Sequence, residues 1–422
     1  MSNTRKKVLF HLPFKLSPIY YGAQSRALGF LRYFAERRDF ISLDIVAANQ
    51  SLKDSWITPQ WDAEQTQEAL KFADNVFVYE GRNSVVDFLY SRSKIFYYQV
   101  LLRQQLPVDT DYYAPLGYVN FIRSLASKSD YDYVWINTIN FASLAQPFMP
   151  THTRTVLDIH DLACRQRKML KDVLNYKNLQ FDYEQNFRKE ACLLAKFDVI
   201  VTNSSYESSL LSSHFSTTLL YDIQHSVDYF SPQSHSDEIP YASRSFEYDL
   251  LFIGMANVQN TDGLKFFLDA IFPRILKVRP EIKLAVAGRV CDSVQIAEDL
   301  SPNIDLLGYV PDLGSIYLKS RVMLCPLRTG AGSSVKLLEA MSFSMPIVTT
   351  NHCAVALSLQ NNLNAMIAND EDTFSDYVLR VLADREFACS LSQAVQDTYK
   401  RLYSKSAIYE QLDSLFGIRE LS

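Results

Sequence analysis

The chain is predicted to be an α/β protein of two Rossmann-like domains, each built on a parallel sheet. Three observations carry this. Its 422 residues are enough for two to three domains. Short apolar runs alternate with segments of helical periodicity, the pattern of strand, crossover helix and parallel strand. The alternation restarts after a stretch rich in Ser, Pro and His, "HSVDYFSPQSHSDEIPYASRS" (225–245), whose composition suits a linker.

In the first series, "KKVLFHL" (6–12) reads as a first buried strand. "GAQSRALGFLRYFAERR" (22–38) comes next, with Leu28, Leu31, Phe34 and Ala35 at helical spacing. "ISLDIVAAN" (41–49), "DYVWINT" (132–138) and "TRTVLDIHD" (153–161) read as strands. "YEQNFRKEACLLAKF" (183–197) is a helix leading into the strand "DVIVTNS" (198–204). The second series runs through the strand "YDLLFIGMA" (248–256), a helix over 261–279, and the strands "IKLAVAGRV" (282–290), "IDLLGYVP" (304–311) and "RVMLCPL" (321–327). The helix "SSVKLLEAM" (333–341) and the strand "PIVTT" (346–350) complete it. The expected domains are 1–226, a linker 227–247, a second domain 248–400 and a final helical segment 401–422. A ligand is expected in the cleft between two such domains, at the carboxyl ends of the strands.

Composition narrows the chemistry. A net charge of −5 and a pI near 5.9 argue against nucleic acid as a partner. The six cysteines form no C-x-x-C pair, so neither zinc nor a disulfide framework is expected. Two D-x-D pairs, Asp109/Asp111 and Asp130/Asp132, have a spacing that can hold a divalent ion, but such pairs arise easily by chance and no metal is expected. The basic N-terminus is broken by His11, Pro13, Lys15 and Pro18, unlike a signal peptide, and no apolar run is long enough to cross a bilayer. The expected location is cytoplasmic. The aromatic segment 84–106, with Arg92, Lys94 and Arg103, reads either as a core helix with a basic edge or as an amphipathic helix on a membrane surface.

The most informative stretch is "RTGAGSSVKLLEAMSFSMPIVTT" (328–350). Gly330 and Gly332 permit close backbone approach around Ala331. Ser333 is an N-cap candidate, and the helix it opens offers free amides and partial positive charge to an anion. Lys336 in the first turn opposes the helix dipole, which makes sense if it neutralises a phosphate. Glu339 lies one turn on, on the same face, where its carboxylate can accept both hydroxyls of a ribose. The other reading of these residues is a glycine turn before a surface helix with a Lys–Glu pair. Neither a P-loop nor a dinucleotide fingerprint is present.

This stretch resembles the signature of retaining GT-B glycosyltransferases of the family-four, group 1 type, in which a glycine-rich turn precedes a "K-x-L-E-A-M" helix and a "G-x-P-V-V-A-T" strand. The segments "LLFIGMANVQNTDGLKFFLDAIFPRI", "IKLAVAGRV" and "IDLLGYVPDLGSIYLKSRVMLCPL" resemble that family's donor domain in order. "YYGAQSRALGFLRYFA", "VLDIHDLACR" and "FDVIVTNSSYESSLL" resemble its acceptor domain. The resemblance implies two Rossmann-like domains facing across a central cleft, with the last helix crossing back to the first. It implies transfer of a sugar from a nucleotide-diphosphate donor to a glycan, lipid-linked or protein-linked acceptor, without a metal cofactor. Glu339 would hold the ribose and Lys336 the diphosphate, with Arg328 and Arg289 as further cations. Gly254, Asn257, Gly330, Ala331, Gly332 and Ser333 would lie against the donor, and Val310 against its base. Gly22 would approach the phosphates or the acceptor, with Arg26 beside the acceptor. His160 would face the transferred sugar. His160, Lys336 and Arg328 are the catalytic candidates. No protein nucleophile is implied, because the leaving phosphate takes the acceptor proton.

Three positions depart from that pattern. Ala331 stands where many relatives carry a glutamate, Met255 follows Gly254 where an arginine is usual, and "HSVD" replaces "NGVD" at the crossover. Two alternatives therefore stay open: a catalytically degenerate GT-B protein acting as a binding or assembly partner, and a sugar-nucleotide epimerase on the same fold. Bacterial surface polysaccharide or glycoprotein glycan assembly, at or near the inner face of the cytoplasmic membrane, is the family-level expectation.

Overall fold

The computed structural model describes residues 5–17, 22–49, 61–80, 89, 92–103, 114–174, 181–224, 239–329 and 334–418. The chain divides into two compact units. Met1–Asn203, Glu207–Ile223 and Gln411–Ser422 form the first, and Ser204–Tyr206 with Gln224–Glu410 the second.

The first unit is a seven-stranded parallel sheet of β1 (Lys6–His11), β2 (Ile41–Ala48), β3 (Asn75–Tyr79), β4 (Tyr133–Asn137), β5 (Arg154–Asp158), β6 (Val199–Thr202) and β7 (Leu219–Asp222), in the order β3-β2-β1-β4-β5-β6-β7. Every residue of β4, "YVWIN", is buried, as expected of a central strand covered on both faces. The high aromatic content finds its use here. Trp135 is fully buried with Phe10, Phe30 and Phe34 around its ring, and Phe416 of the last helix, Lys405–Phe416, stacks on it at 6.2 Å. That helix is fastened by Asp413, which accepts two hydrogen bonds from Arg37 (3.0 and 2.8 Å) and one from the Tyr33 hydroxyl (2.8 Å).

The second unit is a six-stranded parallel sheet of β8 (Tyr248–Ile253), β9 (Leu284–Ala287), β10 (Ile304–Gly308), β11 (Ser320–Cys325), β12 (Ile347–Thr349) and β13 (Met366–Ile367), in the order β10-β9-β8-β11-β12-β13. Strand order reverses between β8 and β11, just as it does between β1 and β4. In doubly wound sheets a crevice opens at that switch point, at the carboxyl ends of the strands. The segments at that end are Gly254 after β8 and the stretch from Pro326 after β11.

Local structure departs from expectation at two places. The helix expected over 261–279 begins at Val258, because Asn257 caps it by accepting from the Asn260 amide at 2.8 Å. It is then interrupted by a π turn at Phe267–Ile271 before resuming as Phe272–Val278. Pro273 lacks the N–H that would continue the α-helical ladder, and the π turn absorbs the break. The helix of the Lys336 motif runs Val335–Ser342 with Ser334, not Ser333, at its N-cap position, and the Ser334 side chain makes no capping hydrogen bond.

Candidate functional site

In the second unit the strand ends at the switch point are interlocked through glycines. The Gly254 N–H donates to Ala287 O (3.0 Å), the Gly288 N–H to Gly308 O (2.6 Å), and the Val290 N–H to Gly254 O (3.0 Å). Gly288 has φ +92°, and a Cβ there would sit 2.3 Å from the Gly254 carbonyl oxygen. At Gly254 a Cβ would press on the Asn260 side chain at 2.9 Å. The backbone therefore packs down around the buried Asn260, which in turn seats Lys336.

Lys336 and Glu339 lie on one face of the Val335–Ser342 helix, half-buried, and each is held by a residue from another element. The Lys336 ammonium donates to Asn260 Oδ1 and stands 5.0 Å from the centre of the Phe252 ring. Asn260 is itself fixed by its Nδ2, which donates to Met255 O at 3.0 Å. The Glu339 carboxylate accepts from the Tyr317 hydroxyl at 2.7 Å, and the buried Tyr317 ring stacks on Phe343 (5.0 Å, 11°). Burial pushes Glu339 up to about 7, against the opposing pull of Tyr317 and Lys336. Burial likewise holds Lys336 below the usual amine range. Both charges sit where solvation is poor, so a ligand that pairs with them gains more than it would in water.

Behind the helix start, Cys325 at the end of β11 has its Sγ 3.6 Å from Cys353 Sγ and 3.9 Å from Ser334 Oγ. The Cys353 thiol bond, and secondarily the Lys336 charge, hold Cys325 below the usual thiol range although burial opposes them.

The other donor-side positions named from sequence are less uniform. Arg328 is bound to Asp262 through two hydrogen bonds (3.2 and 2.6 Å), with its guanidinium 4.6 Å from the Phe266 ring centre. It is therefore paired within the unit rather than presented as a bare cation. Arg289 follows Gly288 and is exposed, at the start of a short 3-10 turn. Val310 is half-buried against the core, beside the highly exposed Tyr309. Asn257 is spent on capping. Gly330, Ala331, Gly332 and Ser333 lie outside the described residues.

In the first unit, "VLDIHD" ends β5 with Asp158 fully buried and His160 half-buried two residues on. His160 Nε2 lies 3.3 Å from Asp158 Oδ2, and its ring packs 5.7 Å from Phe14. Arg26 was expected to face an acceptor. Instead its side chain has no exposure: Nε and Nη2 grip Asp158 (3.0, 3.0 and 2.7 Å), while Nη1 donates to Ile223 O and Nη2 to Thr202 O. Its helix buries the face carrying Arg26, and the carboxylate at the sheet end supplies the counter-charge that makes this burial tolerable. Burial alone would raise Asp158, but Arg26 and His160 bring it down to about 2, so it stays ionised beside the imidazole. Arg26 acts on His160 only through Asp158. Gly22 is the first residue of the Arg26 helix and half-buried.

Sequence reasoning missed Asp158, Asn260 and Tyr317, and also a carboxylate cap. Glu190 accepts the Ala163 and Cys164 amides (2.7 and 2.8 Å) and Glu207 the Leu162 amide (3.3 Å), so two glutamates from other helices satisfy the N-terminus of Ala163–Leu174. Only Asp158 left a signal, since residues two apart on an extended chain share a face. Among the described residues no group of three or more His, Cys, Asp or Glu could hold a metal ion. Asp109 and Asp111 lie outside those residues, and Asp132 Oδ2 accepts the Lys7 amide at 2.7 Å.

Residues 247–384 match the family model described as "Glycosyl transferases group 1". A Klebsiella pneumoniae protein described as an uncharacterized 44.6 kDa protein in the cps region is 23% identical over 312 residues, covering 69% of this chain and 76% of that one. Among solved structures, sucrose-phosphate synthase from Thermosynechococcus elongatus superimposes with a TM-score of 0.63 at 13% identity, covering 98% of each chain. Anabaena HepE in complex with UDP gives 0.61 at 12% identity, covering 98% of this chain and 99% of that one. At these identities the structural likeness is one of fold.

Proposed function

We propose that this chain, a GT-B protein whose residues 247–384 belong to the glycosyl transferases group 1 family, moves a sugar from a nucleotide-diphosphate donor to a hydroxyl of a glycan, lipid-linked or protein-linked acceptor, with retention at the anomeric carbon. The observation that carries this is the Lys336–Glu339 face at the switch point, each side chain seated by its own partner, Asn260 or Tyr317.

Breaking a sugar–diphosphate bond builds negative charge on the leaving phosphate. The Lys336 ammonium and the amino end of its helix are the fixed donors that stabilise it. Glu339 accepts the ribose hydroxyls. His160 of the first unit, close beside the buried Asp158–Arg26 pair, is assigned to orienting the sugar. Positioning and electrostatics are the whole contribution asked of the protein. No protein nucleophile is assigned, and no divalent ion is required of this scheme. A relative from a cps region supports a role in bacterial surface polysaccharide assembly.

The test is binding followed by turnover. UDP, the nucleotide held by the Anabaena neighbour, heads a panel of nucleoside diphosphates titrated against the full chain by calorimetry. Lys336→Ala should weaken the best binder about tenfold or more, the loss of one charge-assisted hydrogen bond. Transfer with that nucleotide's sugar should then need an acceptor and persist in EDTA. Binding without transfer to any acceptor would favour the non-catalytic alternative, and product formation without an acceptor would favour the epimerase. No binding at all would remove the reading.

Membrane contact belongs to the same proposal. Among the described residues no helix is long and apolar enough to cross a membrane. The π turn Phe96–Leu101, in the segment 84–106 whose residues 84–88, 90, 91 and 104–106 are outside the description, exposes Phe96, Tyr97, Val100 and Leu101 by half or more. Sedimentation with anionic vesicles, lost on Phe96→Ser with Leu101→Ser, tests it.

A further inference from the structure

A cavity lies in the second unit at the amino ends of β8 and β11, the end of the sheet opposite the Lys336–Glu339 face. Its volume is about 380 Å³, and its lining includes Tyr248 and Asp249 of β8 and Arg321 of β11. That is the range of pockets that hold small ligands. Three guanidiniums, Arg244, Arg321 and Arg385, share it with the rings of Tyr241, Phe246 and Tyr248.

The charges do not cancel locally. Two carboxylates also line the cavity, but each already has a partner: Glu247 pairs with Lys319 at 3.0 Å and Asp249 with Arg321 at 3.2 Å. Arg385 donates to a carbonyl, Ala242 O, and pairs with no carboxylate among the described residues. Arg244 is more than nine-tenths buried. Its Nε donates to Ile239 O (3.1 Å) and its Nη1 to Phe343 O (2.7 Å), whereas among the described residues Nη2 has no partner and no carboxylate pairs with the group. Burial brings it down to about 10. A buried guanidinium without a counter-ion is costly, and the arrangement persists most readily where an anion supplies the missing charge. The Tyr241 and Phe246 rings beside it pack on each other at 5.0 Å, tilted by 44°, and offer aromatic surface on which a flat ligand body can rest.

We propose that this cavity is a binding site for a small organic anion, a phosphate or carboxylate head on a planar apolar body, with Arg244 and Arg385 as its counter-charges. The site is independent of the donor reading. It also touches the donor face through the protein: Arg244 holds the carbonyl of Phe343, whose ring stacks on Tyr317, whose hydroxyl holds Glu339.

Phenyl phosphate and benzoate serve as probes, with phenol as the uncharged control, titrated against the full chain by calorimetry and ligand-observed NMR. At least one anion should bind with unit stoichiometry and phenol at least about tenfold more weakly. Arg385→Ala, at an exposed position, should weaken that anion about tenfold, one charge-assisted contact. Lys336→Ala should leave it within about twofold, which separates this site from the donor site. Arg244→Met should abolish binding, and if that variant does not fold the Arg385 variant decides. Failure of both anions to bind, or loss in the Lys336 variant with retention in the Arg385 variant, would overturn the proposal. A preference between phosphate and carboxylate tells which head group the site serves.

Discussion

Glu339→Gln should make the protein more stable and less able to bind nucleotide. The carboxyl titrates near 4.5 in an unfolded chain and near 7 in the folded one, because burial outweighs Tyr317 and Lys336. Between those values the folded state holds a proton that the unfolded state has released. This group's contribution to stability is therefore greatest below about pH 4.5, declines as pH rises towards 7, and is a full penalty above it. At 1.36 kcal/mol per pKa unit the whole separation corresponds to at most about 3 kcal/mol. Glutamine keeps the shape and still accepts from the Tyr317 hydroxyl, but it does not titrate. At pH 8 the ligand-free variant should melt several degrees above wild type, since about 1 kcal/mol moves Tm by about 2–4 °C in a unit of this size. At pH 5, only half a unit above the unfolded value, the gap should shrink to about 0.8 kcal/mol, or about 2–3 °C. Nucleotide affinity should fall about ten- to a hundredfold, the loss of charge-assisted hydrogen bonds to the ribose. Scanning calorimetry from pH 5 to 8, with and without UDP, reads both effects. Parallel Tm–pH curves for the two proteins would refute the electrostatic reasoning, and an unchanged UDP affinity would refute the ribose assignment while leaving the electrostatics intact.

Three other substitutions test the scaffold. Gly288→Ala, which would place a Cβ 2.3 Å from Gly254 O at φ +92°, should cost about 2 kcal/mol or more in denaturant unfolding. Phe416→Ala should cost about 3–5 kcal/mol, because its ring is fully buried against Trp135, Tyr133 and Phe34, and removing residues 405–422 should cost more. Asp158→Asn should cost about 3–5 kcal/mol by leaving Arg26 buried and unpaired. It should also remove the part of acid unfolding that wild type shows as pH falls from about 4 towards 2, where an ordinary Asp protonates and Asp158 follows.

Most of the sheet framework was legible because its central strands, "KKVLFHL", "DYVWINT" and "YDLLFIGMA" among them, are apolar runs buried on both faces. The strands that escaped are those whose pattern is weak. Asn75–Tyr79 has no fully buried residue, and Met366–Ile367 is two residues long. The site was legible only as far as one helix could carry it. Lys336 and Glu339 share a helical face by spacing alone, but Asn260 lies 76 residues before Lys336 and Tyr317 22 before Glu339. Nothing local couples them, since packing of separate crossovers brings them together. Arg26 shows the limit from the other side. An arginine near a glycine loop reads as a ligand group, and only the sheet end carrying Asp158 reveals that it faces inward.

The helix Val335–Ser342 joins features that each weaken the ligand-free fold. Lys336 opposes the dipole at its amino end, and Glu339 is a carboxylate whose burial disfavours its charged form. Its C-cap residue, Phe343, is held by Arg244, a cation with no counter-ion among the described residues. A helix selected for stability alone would have an acid first, a neutral residue at 339 and no buried guanidinium at its end. These liabilities have one common remedy. An anion beside Lys336 and a diol beside Glu339 would add contacts to charges that now have only neutral hydrogen-bond partners, a second anion beside Arg244 would supply the counter-ion it lacks among the described residues, and each would therefore raise Tm by mass action. With both proposed sites filled, the gains from UDP and from the aromatic anion should add unless the Phe343–Tyr317 stack couples them.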